Sequence, residues 1–410
     1  MRILSVTQSY APFYEFGGPP VKVEALAEGL VRRGYSPTVL SADWGFEKRR
    51  EDDPPEFNAR RSPFGWTRDA NGVQSIYLPT WFRYRALSWN PAVGRYCRAR
   101  LKQFDVVHIF GLYDLLGPSV ARACRKQGIP YVVEPIGMFV PIVRSIALKR
   151  LYHAMWGGRM LAGAAAVVAT SEQEAQELAG GGIARDKIVL RRNGVMVPRE
   201  QPVRGAFRAQ HGIPADALVV LFLGRLSAKK SPDLLLDAFS ALPKEIGGHT
   251  VWLVFAGPDE GGMLLRLASQ ARELSVSERV VFSGSVLGEK KWAAYRDADV
   301  FVLPSQNENF GNTAAEAAAC GTPVIVTENC GIAPWLKDSA GIVARHETSD
   351  IRKAVQEVLS DGALRERLAQ GGRLLAGRLG WEQPVAEMVE LYQRLIGTWV
   401  QKPRPGSVVC

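Results

Sequence analysis

Two doubly wound α/β halves of the Rossmann kind are the fold class predicted for this chain, and three observations carry the prediction. Short β-like runs alternate with helical stretches over nearly the whole length, the pattern of parallel sheets covered by helices on both faces. With 410 residues, 47% hydrophobic and 22% charged, the chain has a globular composition and the length for two or three cores. A Pro-rich, charged segment with little to bury, Val197-Pro-Arg-Glu-Gln-Pro-Val-Arg-Gly205, lies near the midpoint and is expected to link the halves.

The start, Met1-Arg-Ile-Leu-Ser-Val-Thr7, is too short an apolar run for a signal peptide and reads as a first strand, Ile3–Thr7. Further strands are expected at Thr38–Ala42, Ser75–Leu78, Val106–Phe110, Tyr131–Glu134, Ala166–Ala169 and Ile188–Arg191. The second half repeats the pattern at Val219–Leu223, Val251–Ala256, Val280–Ser283, Val300–Leu303, Val324–Val326 and Gly341–Val343. Domains are therefore expected over residues 1–198 and 199–378. A helical pattern from Ser349 to Trp399 follows, interrupted around Gly377–Gly380 and at Pro384, and residues 401–410 read as a disordered tail.

No run reaches the roughly 18 uncharged apolar residues that span a bilayer, so a cytoplasmic protein is expected. Five scattered cysteines (Cys97, Cys124, Cys320, Cys330, Cys410) without a C-x-x-C pair argue against a disulfide framework or a zinc site, and for a reducing compartment. The net charge of +10 is unevenly held. Residues 1–200 carry 28 Lys and Arg against 18 Asp and Glu, while the remainder balances at 23 of each. A basic first half suits an anionic surface, whether membrane, nucleic acid or acidic substrate.

The chemistry-bearing pattern is in the second half. An apolar run, Val300-Phe-Val-Leu303, ends at Pro304, and Ser305-Gln-Asn-Glu-Asn-Phe-Gly-Asn-Thr-Ala-Ala-Glu316 leads into an alanine-rich helix. Glu308 and Glu316 are thus expected where a parallel strand meets a helix N-terminus, the place where α/β proteins bind anions. Backbone N–H groups from Asn309 through Phe310, Gly311 and Asn312 to Thr313 can form a nest for phosphate or sugar oxygens. Glu316, one turn in, can accept two hydrogen bonds from a ribose diol, or merely complement the helix dipole. Another strand ends at Gly224, whose bare backbone a ligand can approach, and Arg225 and Lys230 follow. Ser231 suits an N-cap and Pro232 the first helical position, so both cations should converge beside a second helix start, where a diphosphate would fit.

Taken together these segments resemble the retaining GT-B glycosyltransferases of family 4, the group 1 glycosyltransferases. The resemblance runs in order through Phe16-Gly17-Gly18 with Val23–Gly34, Asp105-Val-Val-His108, Thr170-Ser-Glu-Gln-Glu174, Arg192-Asn-Gly-Val195, Gly224-Arg225 with Lys230, Phe255-Ala-Gly257, Phe282-Ser-Gly284 and the Glu308/Glu316 motif. It implies two Rossmann-like domains facing a central cleft, with residues 379–400, around Trp381-Glu382, crossing back to the first domain. It also implies a nucleoside-diphosphate-sugar donor as co-substrate, with no cofactor and no essential metal. Arg225 and Lys230 would hold the diphosphate, Glu316 the ribose and Glu308 the hydroxyls of the sugar. The base would lie along Phe282, Ser283, Gly284 and on to Val286, and the Gly17-Gly18 loop would cover the distal phosphate. Glu308, Arg225 and Lys230 are then the catalytic candidates, and retention would come from front-side attack in which the leaving phosphate helps deprotonate the acceptor.

One departure concerns the loop Glu134-Pro-Ile136-Gly137-Met138, where many relatives have a histidine before the glycine. Ile136 can neither hydrogen-bond a hydroxyl nor relay a proton. His108, at a strand end, is the candidate to compensate on the acceptor side. Asp297-Ala-Asp299 has metal-like spacing but opens a strand after a helix and is read as structural. No G-x-x-x-x-G-K-[ST] or G-x-G-x-x-G motif is present. Two aromatic and basic stretches, Trp81-Phe-Arg-Tyr-Arg-Ala-Leu-Ser-Trp89 continuing to Lys102 and Phe139–Tyr152 continuing to Met160, suit an anionic membrane interface or core-facing amphipathic helices.

The expected function is transfer of a sugar from a nucleoside-diphosphate donor to a hydroxyl of a glycan or lipid-linked acceptor, in exopolysaccharide or lipopolysaccharide assembly, peripheral to a membrane. Its alternatives are a GT-B sugar-nucleotide epimerase and a catalytically weakened nucleotide-sugar-binding subunit. No nucleic-acid module accompanies the basic charge, so nucleic acid is not expected as a partner.

Overall fold

The computed structural model describes residues 1–14, 18–43, 59–84, 87–140, 146–196 and 202–400. They form two compact units, Met1–Gly194 together with the segment from Trp381 onward, and Val195–Gly380.

The first unit is built on β1 (Arg2–Val6), β2 (Ser36–Ala42), β3 (Arg60–Ser62), β4 (Gly65–Ala70), β5 (Val73–Leu78), β6 (Phe82–Tyr84), β7 (Leu87–Trp89), β8 (Val106–Phe110), β9 (Tyr131–Glu134), β10 (Ala166–Ala169) and β11 (Ile188–Leu190). One sheet runs in the order β11-β10-β9-β8-β1-β2-β5-β4-β3, parallel as far as β5. Its centre is buried on both faces. In β8, Val107 and Ile109 enter one apolar cluster while Val106 and Phe110 enter the other.

Two features depart from the sequence reading. Asn71 and Gly72, at φ 51° and 76°, turn β4 back onto β5, adding an antiparallel edge to the parallel sheet. The stretch Trp81–Trp89 is a separate β6–β7 hairpin and not an amphipathic helix, with Phe82 opposite Trp89. Its register pairs Phe82 with Trp89, Arg83 with Ser88 and Tyr84 with Leu87, and the Phe82–Trp89 pair is of the aromatic kind that stabilises a two-stranded ribbon.

The second unit comprises β12 (Leu218–Leu223), β13 (Glu245–Ile246), β14 (His249–Ala256), β15 (Val280–Gly284), β16 (Val300–Leu303), β17 (Val324–Thr327) and β18 (Gly341–Ala344). Its parallel order is β15-β14-β12-β16-β17-β18, with β13 antiparallel on β14. Chain order therefore reverses at β12, and the switch point lies between β12 and β16. Every strand of the central pair is buried, and Ala-rich helix Asn312–Ala319 lies close against the sheet through Ala314, Ala315, Ala317 and Ala318.

The C-terminal helical pattern resolves into Thr348–Ser360, Gly362–Ala376 and Glu382–Val400. Pro384 does not interrupt the last of these. It sits in the first turn, where a missing N–H costs nothing. This helix belongs to the first unit: Trp381, Val385, Met388 and Tyr392 enter its core, and a Cβ on Gly29 would lie 2.4 Å from Val385 Cγ2. Among the described residues no helix is long and apolar enough to cross a membrane.

Candidate functional site

The switch point of the second unit gathers most of the predicted donor residues. After β12 the chain passes Gly224 and Arg225, makes a short turn over Ala228–Lys230, and starts the helix Pro232–Ser240. After β16 it passes Ser305 to Gly311 and starts the helix Asn312–Ala319. Backbone bonds fasten the second loop in place: Gln306 N donates to Lys229 O (3.0 Å), Glu308 N to Asn329 O (2.9 Å) and Gly331 N to Glu308 O (2.9 Å). Glu308 is thereby held against Lys230, and the two side chains form an ion pair across the switch point, each largely buried.

Arg225 takes the opposite direction. Its Nη1 donates to Glu260 Oε2 at 2.9 Å, on the loop after β14, and the pair is exposed. The expected convergence of Arg225 and Lys230 is thus replaced by two cations reaching to either side of β12, each paired with a glutamate. Ser231 precedes the helix in a left-handed conformation (φ 48°) and makes no side-chain cap. Its hydroxyl lies 3.0 Å from His346 Nε2 instead.

Gly311 stands at the second helix start with φ 96°, where a Cβ would meet Cys330 Sγ at 2.7 Å. A residue with a side chain is excluded there, and the first amides of the helix, at Asn312 and Thr313, have no intrahelical acceptors. Phe310 faces away: its ring is 2% exposed within the core, so only its backbone can meet a ligand. Glu316 is engaged on both oxygens, by Lys291 Nζ (2.8 Å) and by Tyr295 Oη (2.9 Å). Burial and the Glu316 charge push the Tyr295 hydroxyl far above its ordinary pKa, so it stays a donor. Lys291 and Tyr295 escaped the sequence reading, although Glu316, Lys291 and Tyr295 are what this corner consists of.

Along β15, Phe282 stacks on Phe255 with ring centroids 5.6 Å apart, Ser283 is half-buried, and Gly284 accepts from Gly257 N at 2.8 Å. The ends of β12 and β14 meet backbone to backbone: a Cβ on Gly257 (φ 141°) would lie 1.9 Å from Gly224 O, whereas one on Gly224 meets nothing nearer than Phe222 at 3.9 Å. Gly257→Ala should therefore lower stability by about 3 kcal/mol or more. Gly224→Ala should change it by less than about 0.5 kcal/mol while weakening nucleotide binding. Thermal melts with and without nucleotide separate the two, and unchanged binding in Gly224→Ala would place the ligand elsewhere.

Asp297 and Asp299 hold structure together. Asp297 accepts from Gly205 N and Arg208 N, and Asp299 from Arg208 Nη2, Arg204 Nη2 and Val219 N, each at 2.5–3.0 Å.

In the first unit, Gly17 lies outside the described residues, and Gly18 opens the helix Gly18–Arg32 in an exposed position. His108 is not at a strand end but two residues inside β8, fully buried, with Nδ1 2.7 Å from Tyr392 Oη and its ring stacked on Phe110. It cannot touch an acceptor, and the compensating role expected of it is not supported by this geometry. It belongs to a buried charge cluster. Glu134, at the end of β9, receives Lys22 Nζ on one oxygen and Arg191 Nη2 on the other (2.6 Å), with His108 Nε2 at 3.5 Å. Burial alone would raise the Glu134 pKa, but Arg191, Lys22 and His108 together bring it down to about 2. Burial, helped by Arg191 and Lys22 and opposed by Glu134, brings His108 down to about 3, so it is neutral.

Directly after Glu134 comes a tight turn. Met138 N donates to Pro135 O (3.2 Å), and both central residues are left-handed, Ile136 at φ 57° and Gly137 at 66°. That is the geometry Gly and Asn favour, and a β-branched side chain in it is strained. Glu174, buried, holds the turn by accepting from Gly137 N (2.6 Å) and from Thr170 N (2.8 Å).

The family described as "Glycosyl transferase 4-like domain" matches residues 17–194, and "Glycosyl transferases group 1" matches 203–375. A D-inositol 3-phosphate glycosyltransferase of Xylanimonas cellulosilytica is 33% identical over 92% of this chain and 91% of its own. Its counterpart from Streptomyces bingchenggensis is 35% identical over 58% of this chain, a match spanning about half (54%) of that protein. Anabaena HepE in complex with UDP and glucose superposes with a TM-score of 0.75 at 19% identity, over 96% of this chain and 100% of that one. At that identity the likeness speaks for the fold alone, which is GT-B, with two Rossmann-like α/β domains.

Proposed function

The chain belongs to the group 1 glycosyltransferases, and from that premise we propose that it transfers a sugar, with retention, from a nucleoside diphosphate to a hydroxyl of a glycan or lipid-linked acceptor. The observation that carries the reading is the Lys230–Glu308 pair spanning the β12/β16 switch point beside the Gly311 helix start. A cation, a row of helix amides and a carboxylate together match a diphosphate joined to a sugar.

In this reading the glycosidic C–O bond breaks with its electron pair leaving on the diphosphate. Lys230 and the amides at Asn312 and Thr313 stabilise the developing negative charge, and the exposed Arg225 joins them by exchanging Glu260 for the diphosphate, work that a divalent metal does elsewhere. Glu308 orients the sugar hydroxyls, and the acceptor hydroxyl loses its proton to the departing phosphate as the new C–O bond forms on the same face. Glu316, positioned by Lys291 and Tyr295, meets the ribose. UDP and glucose bound to Anabaena HepE support a donor of this class, and the relatives named for inositol phosphate support a hydroxyl acceptor. Exopolysaccharide or lipopolysaccharide assembly at the cytoplasmic face of a membrane is the setting we infer.

A thermal-shift screen of UDP-, GDP- and ADP-sugars tests the site. One donor class should raise the melting temperature, and Arg225→Ala or Glu316→Ala should weaken its binding roughly tenfold or more. An undiminished shift in both variants would sink the site assignment. Incubation with donor alone separates transfer from epimerisation, since an epimerase needs no acceptor.

A further inference from the structure

The helix Ile146–Tyr152 runs through a wider π turn, His153–Gly157, into Gly158–Ala162. Its inner side is ordinary core: Tyr152, Met160 and Leu161 are buried. Its outer side is not ordinary surface. Leu148, Leu151 and Met155, three and four residues apart, are 47%, 52% and 44% exposed, with Ile146 and Trp156 beside them at 42% and 37%. Among the described residues nothing covers this stripe.

The β6–β7 hairpin shows the same character. Trp81 is 73% exposed, Phe82 54% and Trp89 49%, and the two indoles meet edge to face at 5.8 Å. The hairpin follows β5 and the helix follows β9, so both leave the carboxyl edge of one parallel sheet. The strained Ile136–Gly137 turn lies on that edge as well, immediately after β9.

Charge selects among possible occupants of the stripe. No Asp or Glu occurs between Asp69 and Asp105, a span holding Arg83, Arg95, Arg98, Arg100 and Lys102. None occurs between Glu134 and Glu172 either, a span holding Lys149, Arg150 and Arg159. Exposed apolar side chains and tryptophans on two segments that hold cations and no carboxylate complement an anionic lipid headgroup layer above hydrocarbon. An acidic protein partner would more often be met by a concave or flat patch with a polar rim of both signs. We infer that the outer face of Ile146–Ala162, assisted by the Trp81–Trp89 hairpin, is a membrane-docking surface specific for anionic bilayers. Its purpose rests on the proposed lipid-linked acceptor, which docking would bring to the edge carrying the Ile136 turn. Its existence does not.

The test is flotation of the full chain with vesicles of phosphatidylcholine alone or mixed with phosphatidylglycerol. The protein should float with the anionic vesicles and at least about tenfold less with neutral ones, and moderate salt should weaken the binding. Leu151→Ser with Met155→Ser should reduce flotation about tenfold or more while the thermal melt and the nucleotide-induced shift stay unchanged, since both side chains are exposed. Absence of flotation overturns the proposal, as does flotation that the double variant leaves intact. So does a wild-type dimer that the double variant converts to monomer without either form floating, because the stripe would then join two copies. Nucleotide binding is read in the same samples, so a wrong donor assignment shows as a lost shift with flotation preserved.

Discussion

Glu134→Gln should destabilise the first unit by about 3–5 kcal/mol, the largest stability effect expected of any single substitution here. Among the described residues Glu134 is the one carboxylate bonded to two buried cations, Lys22 and Arg191, and neither side chain is more than 3% exposed. An amide keeps the shape but removes the charge, leaving two cations in a medium that cannot solvate them. The affected elements are those the cluster joins: the helix Gly18–Arg32, β9 and, through His108 and Tyr392, the C-terminal helix. Amide hydrogen exchange in β8 and β9 is the suitable readout, because a chain of two units need not unfold in one step. If protection there fell by less than about 1 kcal/mol, the cluster would be ornamental to stability.

The same cluster sets an acid limit. An unfolded His108 takes up its proton at the ordinary 6.5, whereas in the fold it resists until about pH 3. The unfolded chain therefore binds the extra proton in between, and stability is lost as pH falls below 6.5. Glu134 adds to the loss lower down, between its ordinary 4.5 and about 2, because its folded pKa is depressed and protonation breaks both ion pairs. His108→Gln should remove the His108 contribution from 6.5 down to about 3, flattening the profile above 4.5 and making it shallower from there to 3, and leave the Glu134 contribution below 4.5 in place. A profile unchanged in this variant would show that His108 carries no linked proton.

The parallel strands were legible because each is a short apolar run between turn residues, and such runs have few other stable uses. What escaped was written in other signals. Asn71-Gly72 is a strong hairpin dipeptide, yet β4 beside it reads as polar, since Arg68 and Asp69 occupy an edge strand whose outer face needs no apolar residue. The β6–β7 hairpin was obscured because aromatic and basic residues suit a strand and an amphipathic helix alike. At the site, the strand-to-helix loops carried their own signature in Gly224, Gly311 and Pro232. The partners of the charged residues did not. Glu260, Lys291 and Tyr295 come from other loops and helices, and only the fold brings them to Arg225 and Glu316. His108 was misread for the same reason, because its burial depends on Tyr392, 284 positions away.

Lys230→Ala and Glu308→Gln should both lower turnover, but they should move the affinity for the nucleoside diphosphate in opposite directions. Lys230 supplies charge where the departing diphosphate becomes more negative, so its loss should reduce kcat/KM by about 10²–10³, or roughly 3–4 kcal/mol of transition-state stabilisation. Nucleoside diphosphate binding should weaken with it. Glu308 is the present partner of that ammonium, and both groups are less than one-fifth exposed. In a site this sheltered, a phosphate entering beside Lys230 must share the cation with a carboxylate of like charge to itself. Glu308→Gln removes the competitor and the repulsion together, so the nucleoside diphosphate alone should bind more tightly. The amide cannot hold the sugar as a charged acceptor does, and kcat should fall by about tenfold or more. Titration calorimetry with the diphosphate, set beside steady-state rates, measures both quantities. Weaker diphosphate binding in Glu308→Gln would mean that Glu308 serves to hold Lys230 in place, and the assignment of Glu308 to the sugar would then fail.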